Sequence, residues 1–326
     1  MWIAEVGHRP VLLNEVLAAL QPADDELYID ATFGGGGYSR AILDAARCQV
    51  IGIDRDPDAV ARGAALAAER PAFRMAEAPF GDMEAVLRAM GVTRVDGVVF
   101  DLGVSSFQLD EADRGFSFQA DGPLDMRMAR SGPTAADLVN GLSEAELTRL
   151  LRDYGDEPQA RAIARAIVAR RRAAPITTTG ALADVVARAK GGRQGPRDPA
   201  TRTFQALRIA VNDELGELER GLVAAERLLR PGGRLVVVAF HSGEDALVKR
   251  FVNARGGRQA QPSRHLPPVE LPDARWRWLK AGVVKPGAPE VAANPRARSA
   301  RLRAAIRLAG DQAAQEEEVS PWPRAA

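Results

Sequence analysis

The sequence predicts an α/β protein with a mostly parallel sheet and an inserted all-helical domain. Strand-like and helix-like stretches alternate through the first hundred residues, lapse from about Asp113 to Val211, and resume from Asn212 onward. Glu26-Leu-Tyr-Ile-Asp30 reads as the first strand and is followed by a glycine loop and a helix from about Tyr38 to Ala46. Gln49–Asp54 repeats the scheme, with Pro57 opening a helix that runs to Glu69, because proline suits the first helical turn. Phe73–Ala76, a helix over Asp82–Met90 and a strand over Asp96–Asp101 complete the run. Spacing of this kind implies parallel strands with helices on both faces.

The middle of the chain shows helical patterns only: Ser143–Leu151, with Ser143 and Glu146 spaced as a capping box, then Glu157–Arg172 and Thr179–Lys190. Gly191–Pro199 reads as a loop. Asn212–Leu229 is expected as one long helix stopped by Pro231-Gly-Gly233, ahead of a strand over Arg234–Phe240. Apolar residues alternate again from Leu302 to Leu308. The expected organisation is a discontinuous α/β domain (1–112 and 212–310), a helical insertion (113–211) and a disordered acidic tail (311–326).

Composition narrows the function classes. Cys48 is the only cysteine, which excludes an intrachain disulfide, and three scattered histidines argue against a protein metal site. No stretch resembles a membrane span or a secretory leader, so a cytoplasmic protein is expected. The net charge of +1 conceals segregation. Residues 1–112 hold 9 Lys+Arg against 18 Asp+Glu, 113–211 hold 16 against 11, and 249–308 hold 14 against 3. Such a basic surface suits a polyanion, although a solvated face is the plainer reading of charge alone.

Asp30-Ala-Thr-Phe-Gly-Gly-Gly-Gly-Tyr38 joins the first strand to the first helix, where glycines let a ligand approach backbone amides. Counted from Gly34 or Gly35, the third glycine of a dinucleotide fingerprint would fall on Ser39 or Arg40, which disfavours a nicotinamide cofactor. An acid before the loop suits a cationic amino-acid ligand such as S-adenosylmethionine. Asp54, closing the second strand, suits ribose hydroxyls, and Asp101 closes the fourth strand on the same edge. Phe80 is placed either to lie against an adenine or to join the core. His241-Ser242 invites a hydrolase reading, but the chain lacks a G-x-S-x-G elbow.

Taken together, these residues resemble the bacterial 16S ribosomal RNA cytosine-N4 methyltransferase family, the MraW family. The resemblance rests on His8-Arg-Pro-Val-Leu-Leu-Asn-Glu15, Tyr28–Gly34, Ile53-Asp-Arg-Asp-Pro57, Asp101-Leu-Gly-Val-Ser-Ser106 and Arg114-Gly-Phe-Ser-Phe118. It continues through Asp121–Met128, Pro199–Gln205, Phe240-His-Ser242 and Asn294-Pro-Arg-Ala-Arg-Ser299. It implies a class I, Rossmann-like S-adenosylmethionine-dependent methyltransferase whose helical insertion recognises substrate. The implied reaction is methylation of the exocyclic N4 of a decoding-centre (P-site) cytidine of 16S rRNA in the small ribosomal subunit. Carried over by position, the cofactor contacts fall on Gly36, Gly37, Tyr38, Asp54, Phe80, Asp101 and Gln108. Tyr38 stands where the family commonly has histidine, and Gly243 where it has leucine.

Cytosine N4 is a weak nucleophile, so acceptors for its N–H groups are needed. Asp101 or the carbonyls of the 101–106 loop are the expected catalytic acceptors, with Ser105 and Ser106 as further candidates. Arg202, Phe204 and Arg208, with Arg296, Arg298, Arg301 and Arg303, are the expected RNA contacts. A DNA or other amine methyltransferase of the same fold, and a non-catalytic assembly factor, are the competing readings. Against the first stands Asp101-Leu-Gly-Val in place of an Asp/Ser-Pro-Pro-aromatic segment; against the second, the presence of Asp30, Asp54 and Asp101. Monomer and dimer are equally compatible with the sequence.

Overall fold

The computed structural model describes residues 10–192, 198–256 and 274–309. The expected tail at 311–326, most of the 191–199 loop and the His8-Arg9 start of the first motif lie outside the described residues. The chain forms two compact units, Met1–Gly103 with Leu215–Ala326, and Val104–Glu214. The first boundary thus follows Gly103 rather than Ala112, because the capped turn at Ser105 already belongs to the helical unit.

In the first unit, strands β1 (Leu27–Asp30), β2 (Gln49–Asp54), β3 (Phe73–Glu77), β4 (Val95–Asp101) and β5 (Leu229–Ala239) alternate with helices. These are α1 (Leu13–Leu20), α2 (Gly37–Ala45), α3 (Pro57–Glu69) and α4 (Met83–Ala89). Within or next to the second unit come α5 (Ser106–Asp110), α6 (Ala135–Gly141), α7 (Glu144–Gly155), α8 (Ala160–Arg171), α9 (Thr179–Ala189) and α10 (Thr201–Asn212). The first unit continues with α11 (Glu214–Leu228), α12 (Ser242–Arg255), β6 (Trp276–Trp278), α13 (Ala288–Ala293) and β7 (Arg301–Arg307).

The sheet is seven-stranded, ordered β3-β2-β1-β4-β5-β7-β6. Its first five strands are parallel, and β7 enters antiparallel beside β5 with β6 as the outer strand. Period-2 alternation sends residues to two cores. Ile51, Val98, Phe100, Leu235 and Val237 pack with α4, α11 and α12, while Val50, Val99, Val236, Val238 and Leu302 pack with α1, α2 and α3. The helical unit has its own core around Leu147, Ile163, Val186 and Leu207. No described helix is long and apolar enough to cross a membrane.

Local chemistry explains most boundaries. Asp56 caps α3 by accepting from the Asp58 N–H at 3.1 Å, with Pro57 in the first turn. Ser143 and Glu146 form the expected capping box of α7. Two differences from the sequence reading stand out. The helix expected over Asn212–Leu229 begins instead at Glu214, since Asp213 takes a left-handed conformation (φ 50°) and the buried Asn212 amide is held by Met126 and Met128 backbone. Pro231-Gly-Gly233 lies inside β5 rather than before it: Leu229 pairs with Val95, Arg234 with Gly97, and the intervening residues bulge out.

Ile51 is fully buried at the centre of the parallel strands. Ile51→Ala is therefore expected to lower unfolding free energy by about 2–5 kcal/mol in urea titrations, through lost burial and the cavity left behind.

Candidate active site

β2, β1 and β4 are neighbours, and each ends in an aspartate: Asp54, Asp30 and Asp101. Parallel strands deliver those ends to one edge of the sheet, roughly 5 Å from strand to strand. Asp30 is 1 % exposed; its Oδ2 accepts from the Ser39 hydroxyl at 2.7 Å, and its Oδ1 has no partner among the described residues. Burial pushes the Asp30 carboxyl up to about 6, against the opposing pull of the Ser39 hydroxyl. Asp101 donates its backbone N–H to Thr32 Oγ1 at 2.6 Å, and its buried Oδ1 is likewise unpartnered. Burial first, then the nearby Asp30 and Glu244 carboxylates, raise the Asp101 carboxyl well above the usual range.

Asp54 serves the loop directly. Its Oδ2 accepts from the Gly34 N–H at 2.8 Å and its Oδ1 from the Asp56 N–H at 2.9 Å, while burial still raises its carboxyl. Arg62 Nε donates to the Gly34 carbonyl at 3.1 Å, so the loop is clamped at both its amide and its carbonyl. Gly36 has φ 75°, and a Cβ there would lie 2.6 Å from the Phe33 ring. A Cβ on Gly37 would collide with Pro10. Both positions therefore exclude side chains, and no side chain caps α2. Two orphaned carboxylate oxygens beside an uncapped helix N-terminus fit a ligand carrying both a cation and an anion.

Several expected contacts take other roles. Tyr38 is 3 % exposed, and its hydroxyl donates to the Val11 carbonyl, fixing the segment before α1 against the loop. The Leu12 N–H completes this wall by donating to Glu290 Oε1 on α13 at 2.7 Å. Phe80 meets the Phe100 ring edge-on at 5.4 Å and closes over Gly221, so its ring is part of the core lining. Gln108, in the second unit, is buried and accepts from the Ser105 N–H at 3.0 Å; the Ser105 hydroxyl in turn caps α5.

The expected RNA contacts divide as well. Arg202 is exposed on α10, but Phe204 is 4 % exposed and packs on Phe118 at 4.7 Å, which removes it as a stacking platform. Arg208 makes a bidentate pair with Glu214 at 2.7 and 2.8 Å, so its guanidinium faces a carboxylate. Arg301 and Arg303 both pair with Asp245. Arg296 and Arg298 are exposed.

Glu244 and Ser39 escaped the sequence reading. Glu244 is buried, accepts from the Phe240 N–H at 2.8 Å and the His241 N–H at 3.2 Å, and lies 3.1 Å from His241 Nε2. The H-x-x-E spacing was visible, but histidine is an uncommon helix cap. His241 accordingly caps α12 and activates no serine.

Asp30 gives a prediction with a defined sign. Its folded value near 6 lies above the ordinary 3.8, so the stability linked to its protonation is present below about pH 3.8 and lost as pH rises through 6. Relative to Asp30→Asn, the unliganded wild type should lose about 2 kcal/mol between pH 4 and 7, read by urea unfolding at each pH. Parallel curves would disprove the burial argument.

With this geometry in view, comparison with known proteins is informative. Residues 5–308 match the model of the MraW methylase family. The chain is 58 % identical over 308 residues to the ribosomal RNA small subunit methyltransferase H of Acidiphilium cryptum, covering 93 % of this chain and 98 % of that protein. It is 56 % identical over 305 residues to the protein of the same name from Paramagnetospirillum magneticum, covering 93 % and 96 %. Near-complete coverage on both sides and the match from residue 5 to 308 place the whole α/β framework and its insertion in one lineage: the chain is a methyltransferase and belongs to the MraW methylase family.

Proposed function

We propose that this protein transfers a methyl group from S-adenosylmethionine to the exocyclic N4 of a decoding-centre cytidine in 16S rRNA of the small ribosomal subunit, in the bacterial cytoplasm. The observation that carries the donor is the pair of buried, unpartnered carboxylate oxygens on Asp30 and Asp101 beside the loop of Gly34–Gly37. The names of relatives sharing more than half of all residues support small-subunit ribosomal RNA as the substrate; the cytidine N4 rests on the resemblance of the sequence motifs alone.

Gly36 and Gly37 would hold the donor through backbone approach, Asp54 through its remaining acceptor sites, and Asp101 by charge. When bound, the donor supplies a methyl group made electrophilic by its sulfonium. The chain's own task is then to align the acceptor and exclude water, since little covalent chemistry is left to the protein. The target base has to leave its stack to reach the sheet edge. Asp101 would accept an N–H of the cytosine amine and take its proton as the N–CH3 bond forms and the donor's S–CH3 bond breaks, the neutral thioether S-adenosylhomocysteine being the leaving group. Burial makes Asp101 a stronger base than an exposed carboxylate, and the positive charge of a bound donor would favour its ionised form. Thr32 fixes the strand end that carries it. Arg202, Arg296 and Arg298 are the exposed arginines assigned to RNA.

The deciding experiment supplies labelled donor and small subunits from cells lacking the endogenous enzyme, then maps the methylated nucleotide. Label in N4-methylcytidine of the decoding centre is expected; label in DNA or at another base would reject the substrate assignment. Asp101→Asn should reduce turnover about 10²- to 10⁴-fold in the same assay. Full turnover in that variant, with unchanged donor binding, would remove Asp101 from catalysis.

A further inference from the structure

From residue 274 to 309 the described chain carries nine Lys and Arg residues and one acid, Glu290. That acid is engaged with the Leu12 N–H. Arg301 and Arg303 share Asp245, and Arg307 donates to the backbone carbonyls of Glu226, Arg275 and Leu308. The remaining six are all exposed, among them Arg277, Lys280, Lys285 and Arg298. Among the described residues none of the four has a carboxylate partner.

Strand register places these four in a row. Arg277 sits on the outer strand β6 opposite Ile306 of β7, and the alternation that turns Trp276 into the core turns Arg277 to the other face. Lys280 follows Leu279, whose N–H bonds to the Ala304 carbonyl, and Lys285 follows Val284, which pairs with Leu302. Arg298 lies in the 3-10 turn Pro295–Ser299 that leads into β7. Between Ile306 and Leu302 the row advances four residues along β7, about 13 Å, the axial length of roughly four stacked nucleotides.

The row also points somewhere. β7 runs antiparallel to β5, with Arg301 opposite Ala239, so its first residues stand at the sheet edge where the parallel strands end. That edge bears Asp54, Asp30 and Asp101, and β7 lies two strand spacings, about 10 Å, from β4. A line of unneutralised cations therefore climbs the free side of the sheet and ends beside the acidic cleft. A ligand that is anionic along its length and brings one uncharged base to the cleft matches that field; the acidic edge would repel phosphates, and the flanking cations attract them.

We infer that this free sheet edge, through Arg277, Lys280, Lys285 and Arg298, is the track on which the phosphodiester backbone of the substrate RNA lies next to the target nucleotide. The inference rests on the rRNA reading above and adds a surface that sequence analysis did not single out, apart from Arg298. Ordinary protection of an edge strand by charge is the rival explanation, and it predicts no effect on RNA.

The test uses the full chain with all four residues changed to glutamine (R277Q/K280Q/K285Q/R298Q). Binding to undermethylated small subunits is measured across a salt series, with S-adenosylhomocysteine binding by calorimetry as the check on folding. A second variant, R47Q/R70Q/R88Q/R227Q, removes the same charge from the opposite sheet edge, where each arginine is paired with an acid. The track variant should lose affinity at least tenfold at 0.1 M salt, with the slope of log affinity against log salt falling by about 3, while S-adenosylhomocysteine binds as in wild type. The control should keep the wild-type slope. An unchanged slope in the track variant, or an equal fall in the control, overturns the track even though wild type methylates the subunit. Failure of wild type to methylate rRNA at all would instead overturn the functional reading, and the track with it.

Discussion

Burying three carboxylates side by side is costly, and most features around the sheet edge answer that cost. Asp54 is met by two backbone N–H groups, and Asp30 by one hydroxyl; Asp101 receives no hydrogen bond to its Oδ1. The series runs from a carboxylate whose bonds are made by the protein to one whose needs the protein leaves unmet. Asp54 can therefore act as a structural brace for the glycine loop, whereas Asp101 is poised for a partner from outside. A single sheet edge thus combines one braced carboxylate with two that keep an unmet acceptor, and the parallel register of β2, β1 and β4 is what places them together.

Much of this was legible in the sequence. Apolar strands that end in an acid, a helix opened by Asp56-Pro57 and the capping box at Ser143 are local patterns, and local patterns survive folding. The break at Asp213 was not legible, because it depends on Asn212 reaching backbone atoms more than eighty residues away. The bulge at Pro231-Gly-Gly233 was missed for a related reason: a stop signal for a helix is equally a signal for a kinked strand, and only pairing with β4 decides.

The functional residues show the same division. That Gly36 opens a helix and that Asp54 and Asp101 close strands could be read from type and position. Phe204 and Arg208 could not, since an aromatic and an arginine near basic sequence read as RNA contacts until Phe118 and Glu214 are seen to occupy them. Tyr38 is instructive in another way. Its place in the glycine loop reads as a cofactor contact, and its hydroxyl donates to the Val11 carbonyl, which holds the segment before α1 against the loop as its wall.

That wall has an implication for how the protein is made. The amide of Leu12 finds its acceptor on Glu290, 278 residues later, and β7 slots beside β5 only after residue 301. During synthesis the glycine loop, Asp54 and Asp101 all emerge long before the elements that close the pocket's near side. A methyltransferase built in this order completes the wall beside its glycine loop only when translation of its own chain is nearly over, so partial chains are not miniature enzymes.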